Sequence, residues 1–503
     1  MAYSLSDPEL TDGLKSQEDL KSTPVKTTLR IESLDILRGI ALLGALLISI
    51  WTFGGFSQNM QTKLLLHPSG GNYRLFAAVS LLFEGKMRAI IALVFGAVMV
   101  INFSKANTIN ALSNADVSIR RFMWLIAFGL LNAFLFLWTN DILFHLGVTG
   151  ILLFAFVRMK ARGLLIAALL TTLIYCGKNY WRYQDDNTTY KKYLSVVAIE
   201  KSFKKDSTDL LTKNKKKEPL VKPTATRAST LKKDSSAQKK DTLTRQQQED
   251  KSAWEGLVKN MKYDSTADAR QAKQMREGAY GTLWNTILPE AQWREAGWTY
   301  RTGIWDLASM MFLGMALFKL DFFTGRFSNS RYLTIALITI TAGLLLGWYR
   351  LYFHNAMLLD YAKFIKRYPI PHNLFFPLER VFLACGYAAL IIFLLRIKLL
   401  KGLFSALADT GKMALTNYLV QSIFFTLFFT GFGMTNFGKL EQHELYLLVA
   451  EVWMVQVIFS TLWMRFYYYG PFEWLWRYLI YGKAFPNKKT VSATPEPAIA
   501  AII

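Results

Sequence analysis

Asp141 and His145 stand four residues apart at the start of an apolar run, which puts a carboxylate and an imidazole on one face of a helix. Such a pair suits acid–base or nucleophilic catalysis; the plainer alternative is a neutral histidine bonded to the aspartate for packing. Asp35 and Arg38, three apart at the entry to the first apolar run, can also pair on one face. They either anchor a helix end or sit inside a bundle, and Gly39 and Gly44 favour the second by letting another helix approach closely. Glu84, Lys86 and Arg88 precede a further run. They either cradle a phosphate or carboxylate, a task suited to arginine's bidentate fork, or reach to water as an interfacial cluster. Glu379 and Arg380 are adjacent inside an apolar run, so they point apart and are expected to pair with other helices, Asp35 and Arg38 among the candidates. Asn417 and Gln421 place two amides on one helix face, the pattern of interhelical hydrogen bonding. His67, between Leu66 and Pro68-Ser69-Gly70-Gly71, is a loop histidine, either inert or catalytic. The catalytic candidates are therefore His67, Asp141 and His145; Asp35, Arg38, Glu84, Lys86, Arg88, Glu379, Arg380, Asn417 and Gln421 are candidates for lining a cavity.

Helices in lipid must hold these residues. The chain is 52% hydrophobic, 15% aromatic and only 19% charged, with a mean hydropathy of +0.20, whereas soluble domains carry about 25% charge. A span needs about 20 mostly apolar residues. Runs near that size lie at 36–53, 89–104, 122–138, 142–157, 163–177, 304–320, 332–349, 374–396, 414–432 and 444–464. They predict an all-α, polytopic membrane helix bundle of about ten transmembrane helices. The stretch 75–83 reads as a half-helix, a re-entrant segment or the start of the second span.

The net charge of +23 would suit a nucleic-acid binder if the chain were soluble. Its placement argues otherwise. The segment 178–303 holds 26 Lys+Arg and 16 Asp+Glu, and the remaining excess collects in short loops beside apolar runs, as the positive-inside rule expects of cytoplasmic loops. Basic links at 105–121, 158–162, 319–331 and 396–412 fall on one side with both termini; the loop 350–373, with Arg350, Lys363, Lys366 and Arg367, disagrees. The organisation expected is a disordered cytoplasmic N-terminus (1–29), an N-terminal membrane bundle (30–177), a polar extracytoplasmic loop (178–303) disordered at 201–251, a C-terminal membrane bundle (304–482) and a disordered tail (483–503). Within that loop, 281–301 carries Trp284, Trp293, Trp298 and Tyr300 and reads as an interfacial segment. Cys176 and Cys385 offer neither a disulfide framework nor a thiolate metal site. No metal and no bound cofactor is expected.

Four motifs in order resemble the YeiB-like family of bacterial multi-pass membrane proteins, a domain of unknown function. They are SLDILRGIALLGALLIS from Ser33, Phe83-Glu84-Gly85-Lys86-Met87-Arg88, GKMALTNYLVQS from Gly411, and YGPFEWLWR from Tyr469. In the last, Gly470, Pro471, Glu473, Trp474 and Arg477 read as a structural motif, with Glu473 and Arg477 at ion-pair spacing on a helix lying at the cytoplasmic interface. The opening motif is also similar to that of transmembrane acyltransferases, which pass an acyl group from a cytosolic donor to an acceptor on the far side. That resemblance implies an acyl-CoA or similar co-substrate and a cell-envelope glycan or lipid acceptor. Where such enzymes carry a histidine or asparagine in the first span, this chain has Ser49, and Asn132 stands where many relatives carry a histidine. The expectation is a multi-pass protein of the bacterial inner membrane that transfers an acyl group; a transporter or permease-like protein is the alternative. Nucleic acid is not expected as a partner, and the oligomeric state is left open.

Overall fold

The computed structural model describes residues 31–56, 58–65, 70–104, 111–215, 243–262 and 264–489. Eighteen helices account for nearly all of them, and among the described residues no β-strand forms. In chain order they are α1 (Glu32–Phe53), α2 (Gln58–Leu65), α3 (Gly71–Leu82), α4 (Lys86–Ser104), α5 (Ala111–Leu130), α6 (Leu143–Leu153), α7 (Ala161–Lys215), α8 (Arg245–Met261), α9 (Ser265–Glu277) and α10 (Tyr280–Gln292). The second half holds α11 (Ile304–Lys319), α12 (Asn329–Leu359), α13 (Tyr361–Arg367), α14 (Phe376–Arg396), α15 (Lys401–Lys412), α16 (Ala414–Phe429), α17 (Gln442–Phe466) and α18 (Pro471–Tyr481).

Seven helical segments are long and apolar enough to cross a membrane; 143–156 and α16 are shorter apolar helices, and α11 is the buried centre of the bundle. Each apolar run of the sequence thus becomes one helix. Backbone groups in hydrocarbon must be bonded within the segment, which leaves the helix as the form such runs can take. Exposure separates a lipid face from a core. Only 22% of the apolar window of α12 and of α17 is buried against protein, against 61% for α1. The outward residues are apolar, among them Leu337, Leu345, Met454 and Ile458.

Close crossings set the interior. Gly39 of α1 faces the carbonyl of Leu407 on α15, and Gly411 faces the carbonyl of Asp35. The same device joins α4 to α11 through Gly96 and Gly314. A side chain at any of these four would strike backbone, so helix contact here depends on small residues. Stretch 75–83 belongs to α3, which breaks at Phe83-Glu84-Gly85 and resumes as α4. Gly85 has φ +74°, and a Cβ there would also meet Phe376 and Arg380. The break thereby places Glu84 and Lys86 inside the bundle.

Three expectations change. The segment 201–251 is helical at both edges, since α7 runs as one 55-residue helix to Lys215 and α8 starts at Arg245; residues 216–242 lie outside the described residues. The insert also packs against the second half of the chain: Trp254 is buried and stacks on Tyr361 of α13, and within the insert Lys251 reaches Glu200 at 2.6 Å. Large aromatics spaced along a polar stretch supplied that burial. The segment 281–301 is less uniform than an interfacial strip: 293–303 is a π-helix with Glu295, Thr299 and Thr302 buried, while Trp293 and Tyr300 are exposed. In the tail, 483–489 is ordered, Asn487 accepting from the Tyr469 amide at 2.9 Å. The N-terminal expectation for 1–29 and the rest of the tail lie outside the described residues.

Candidate functional site

The α3–α4 break, the ends of α12 and α14, and the π-helix 293–303 meet at the end of the bundle that bears the insert. There they enclose a cavity of about 220 Å³. Glu84, Arg182, Arg301, Arg350, His354 and His372 supply its polar wall, and Trp293, Trp298, Phe376 and Tyr175 its aromatic one. Arg182 and Arg301 form no ion pair among the described residues. The cavity therefore offers two spare guanidinium groups beside flat rings, a setting for an anionic or carboxylated ligand.

Beneath it runs a chain of buried charge. Lys86 Nζ lies 2.5 Å from Glu379 Oε1 and donates to the Ser80 carbonyl at 3.0 Å. Arg350 donates through Nε to Glu379 Oε2 at 2.8 Å and through a terminal nitrogen to Glu84 at 3.0 Å. Glu84 also accepts from the Ser80 hydroxyl. Glu379 and Lys86 are 0% exposed, so their charges are tenable only because they are paired, Lys86 with Glu379 and Glu379 with Arg350 as well. At the cavity wall His354 Nδ1 meets His372 Nε2 at 3.3 Å. Burial, then the neighbouring His354 and Arg350, hold the His372 imidazole well below its usual pKa of 6.5. His372 is thus neutral at pH 7, the form in which one ring nitrogen is free to accept a hydrogen bond.

A second chain lies alongside. Arg380 donates to Asp306 on α11 and, through Nε, to the Gly85 carbonyl at 2.9 Å; Arg88 reaches Asp306 at 3.5 Å. The Arg88 and Arg294 guanidinium groups flank the Trp298 ring, 5.0 and 3.7 Å from its centroid. Trp298 in turn meets the His145 ring edge-on at 4.9 Å.

The structure therefore brings Glu84, Lys86, Arg88, Glu379 and Arg380 together but leaves Asp35 and Arg38 elsewhere. Asp35 and Arg38 pair at 3.0 Å at the opposite end, where Arg38 also donates to the Gly411 carbonyl. The partners expected of Glu379 and Arg380 are corrected to Lys86, Arg350 and Asp306. Lys86 is not an interfacial charge, being fully buried. Arg350 is not a loop charge either: α12 continues past it to Leu359, which removes one of the four cations from the loop that disagreed with the topology. The Asp141 carboxylate does not bond the His145 side chain. It accepts from Asn132 at 2.9 Å, the Phe144 amide at 2.8 Å and the Tyr418 hydroxyl at 3.3 Å. His145 Nε2 faces the Arg294 carbonyl at 3.3 Å instead.

Asn417 and Gln421 act as interhelical bonds, to Ser460 at 2.9 Å and Gln456 at 2.8 Å. Glu473 caps α16 through the Thr416 amide at 3.0 Å and its hydroxyl, burial raising the Glu473 pKa above 4.5. Gly470 and Pro471 start α18, Trp474 donates to the Phe485 carbonyl at 2.8 Å, and Arg477 lies over Tyr469. His67 lies outside the described residues. Sequence reading missed His354, His372, Arg294, Glu295 and Asp306. Asp306 sat two residues inside an apolar run and carried the same signal as Glu379; the histidines sat in what reads as a loop and gave none.

Residues 317–483 match the family described as DUF418, a protein of unknown function. The chain is 32% identical to uncharacterized protein YeiB of Escherichia coli (strain K12) over 186 residues, 36% of this chain and 46% of that protein. It is 37% identical to uncharacterized protein YxaH of Bacillus subtilis (strain 168) over 100 residues, 20% of this chain and 25% of that one. Over 104 residues it is 33% identical to an uncharacterized 39.9 kDa protein in the amylase 3' region of Bacillus acidopullulyticus, 21% of this chain and 30% of the relative. The chain spans less than half the length of each of these curated relatives. No solved structure matches it.

Proposed function

We propose that this chain, a YeiB-like multi-pass membrane protein, transfers an acyl group from a cytosolic donor to an anionic or carboxylated cell-envelope acceptor held in the cavity. The observation that supports this most is the meeting of the His354–His372 pair and Glu84 with the spare guanidinium groups of Arg182 and Arg301 in one cavity. The reading places the chain in the bacterial inner membrane with both termini cytoplasmic and the cavity on the outer side. Arg182 and Arg301 hold the acceptor, and the aromatic wall packs on it. A neutral imidazole of the pair takes the proton from the acceptor hydroxyl as its oxygen attacks the thioester carbonyl carbon. A C–O bond forms, the C–S bond breaks, and the proton returns to the leaving thiolate. A positioned base of this kind contributes about 10²–10⁴-fold.

The test is release of coenzyme A by purified chain in nanodiscs over a broad set of acyl-CoA donors and glycan or lipid acceptors. R182A and R301A are expected to raise KM for the acceptor, and H372Q to lower kcat. No release by folded protein across the set overturns the reading.

A transporter is the second reading, favoured by charges at membrane depth such as Glu379, Arg380 and Asp306, which mark substrate paths in many carriers. It predicts solute accumulation in vesicles that E379Q abolishes.

A further inference from the structure

Away from the cavity wall, three ligand-type side chains from three elements converge. Asp141 precedes α6, His145 lies on its first turn, and Glu295 projects from the π-helix 293–303. One ligand atom from each lies within 4.8 Å of the other two, and all three residues are buried, at 1%, 1% and 6% exposure. His145 Nε2 is 3.6 Å from Glu295 Oε2. Ligands about 2.1 Å from one tetrahedral ion stand about 3.4 Å apart, so the His145–Glu295 pair is already near that spacing and the widest pair would close by up to about 1.4 Å on binding.

The hydrogen bonding is unfinished here. Both oxygens of Glu295, Nδ1 of His145, Oδ1 of Asn132 and Oγ1 of Thr149 are buried without a partner among the described residues. A buried carboxylate with neither oxygen satisfied costs several kcal/mol unless a positive species joins it. The imidazole faces the Asp141 and Glu295 carboxylates and the Arg294 carbonyl, with the Arg88 and Arg294 guanidinium groups as the nearby positive charges. Arg294 itself is turned onto Trp298. Meanwhile the Asp141 carboxylate is already fixed by Asn132, the Phe144 amide and Tyr418, the outer bonding that orients metal ligands. Asn132 and Glu295 both sit in π-helical segments, 131–135 and 293–303, a form concentrated at functional sites.

We infer that Asp141, His145 and Glu295 form a site for one divalent first-row transition ion, bound through one imidazole nitrogen and carboxylate oxygens. One nitrogen with carboxylate oxygens suits ions from manganese to zinc better than calcium or magnesium. The ion ties the π-helix to α6 and so sets the position of Trp298 in the cavity wall. The inference stands apart from acyl transfer, because metal retention is read without turnover.

Chain purified without chelator, stripped with EDTA, dialysed against Zn²⁺, Mn²⁺ or Co²⁺ and measured by mass spectrometry is expected to hold about one equivalent of at least one of them. E295Q and H145Q are expected to retain less than about a tenth of that, and bound Co²⁺ to show visible absorption in the wild type alone. If the variants do not fold, the wild type decides. A folded wild type that retains none of the three ions, and whose melting temperature is unmoved by EDTA or by adding them back, holds a shared proton instead. Equal retention by folded E295Q and wild type also overturns the inference.

Discussion

Glu379 touches Lys86 and Arg350 at once, and none of the three has water to fall back on. Removing a single member of such a group leaves the others uncompensated, which costs about 3–5 kcal/mol, whereas replacing a whole pair by apolar residues can be nearly neutral. E379Q is therefore expected to lower the melting temperature of the purified protein more than K86M and E379L combined in one chain. The cavity histidines give a pH dependence with a definite sign. The His372 pKa in the fold lies below its unfolded value of 6.5, so the stability it supports is present above pH 6.5 and is lost as pH falls below it. Melting temperature followed from about pH 7.5 to about pH 5 should fall, and H372Q should flatten that component. Glu84, Lys86, Glu379 and Arg380 were legible as charges bordering or interrupting apolar runs, because a charge there has no solvent and must be paired. Their partners were not legible, since Arg350 and Asp306 meet them only through packing of helices far apart in the chain. Asp35 and Arg38 show the converse: their i, i+3 spacing gave the pair correctly and said nothing of its distance from the cavity.

Among elements, the helix crossings depend on glycine more than on large apolar side chains. A Cβ at Gly411 runs into the Asp35 carbonyl, while one at Gly402 meets nothing within 4 Å. G411V should then abolish folded protein or displace α15 from α1, and G402A should leave the melting temperature unchanged; size-exclusion profile and thermal melting in detergent read both. Apolar run length gave the helices of the bundle almost one for one, because lipid permits little else. It failed at the insert, where α7 continues as helix far beyond its apolar part. Polar residues on a helix face need only water, and Trp254 with Tyr190 and Tyr361 supplies a small core that composition alone averages away. The π-helix at 293–303 was also invisible, since its tryptophans fit an interfacial belt equally well until Trp298 is seen between two arginines.

At the scale of the whole molecule the two ends differ. One bears the insert and the cavity; the other bears the Asp35–Arg38 pair, α15 and α18. If both termini are cytoplasmic, the cavity faces outward. Cysteine placed at Gly281, exposed at the cavity end, should react in intact cells with a maleimide that does not cross membranes, and cysteine at Gly402 should react only after lysis. The reverse pattern would turn the cavity to the cytoplasm and rule out an envelope acceptor. Acyl transfer to the envelope is read by a mass-spectrometric comparison of envelope glycans and lipids from cells making the wild-type chain and cells making R301A. At least one envelope component should bear an acyl group in the first and be depleted in the second. Envelopes that are identical in every acylated component, with both chains folded and present in the membrane, contradict that transfer.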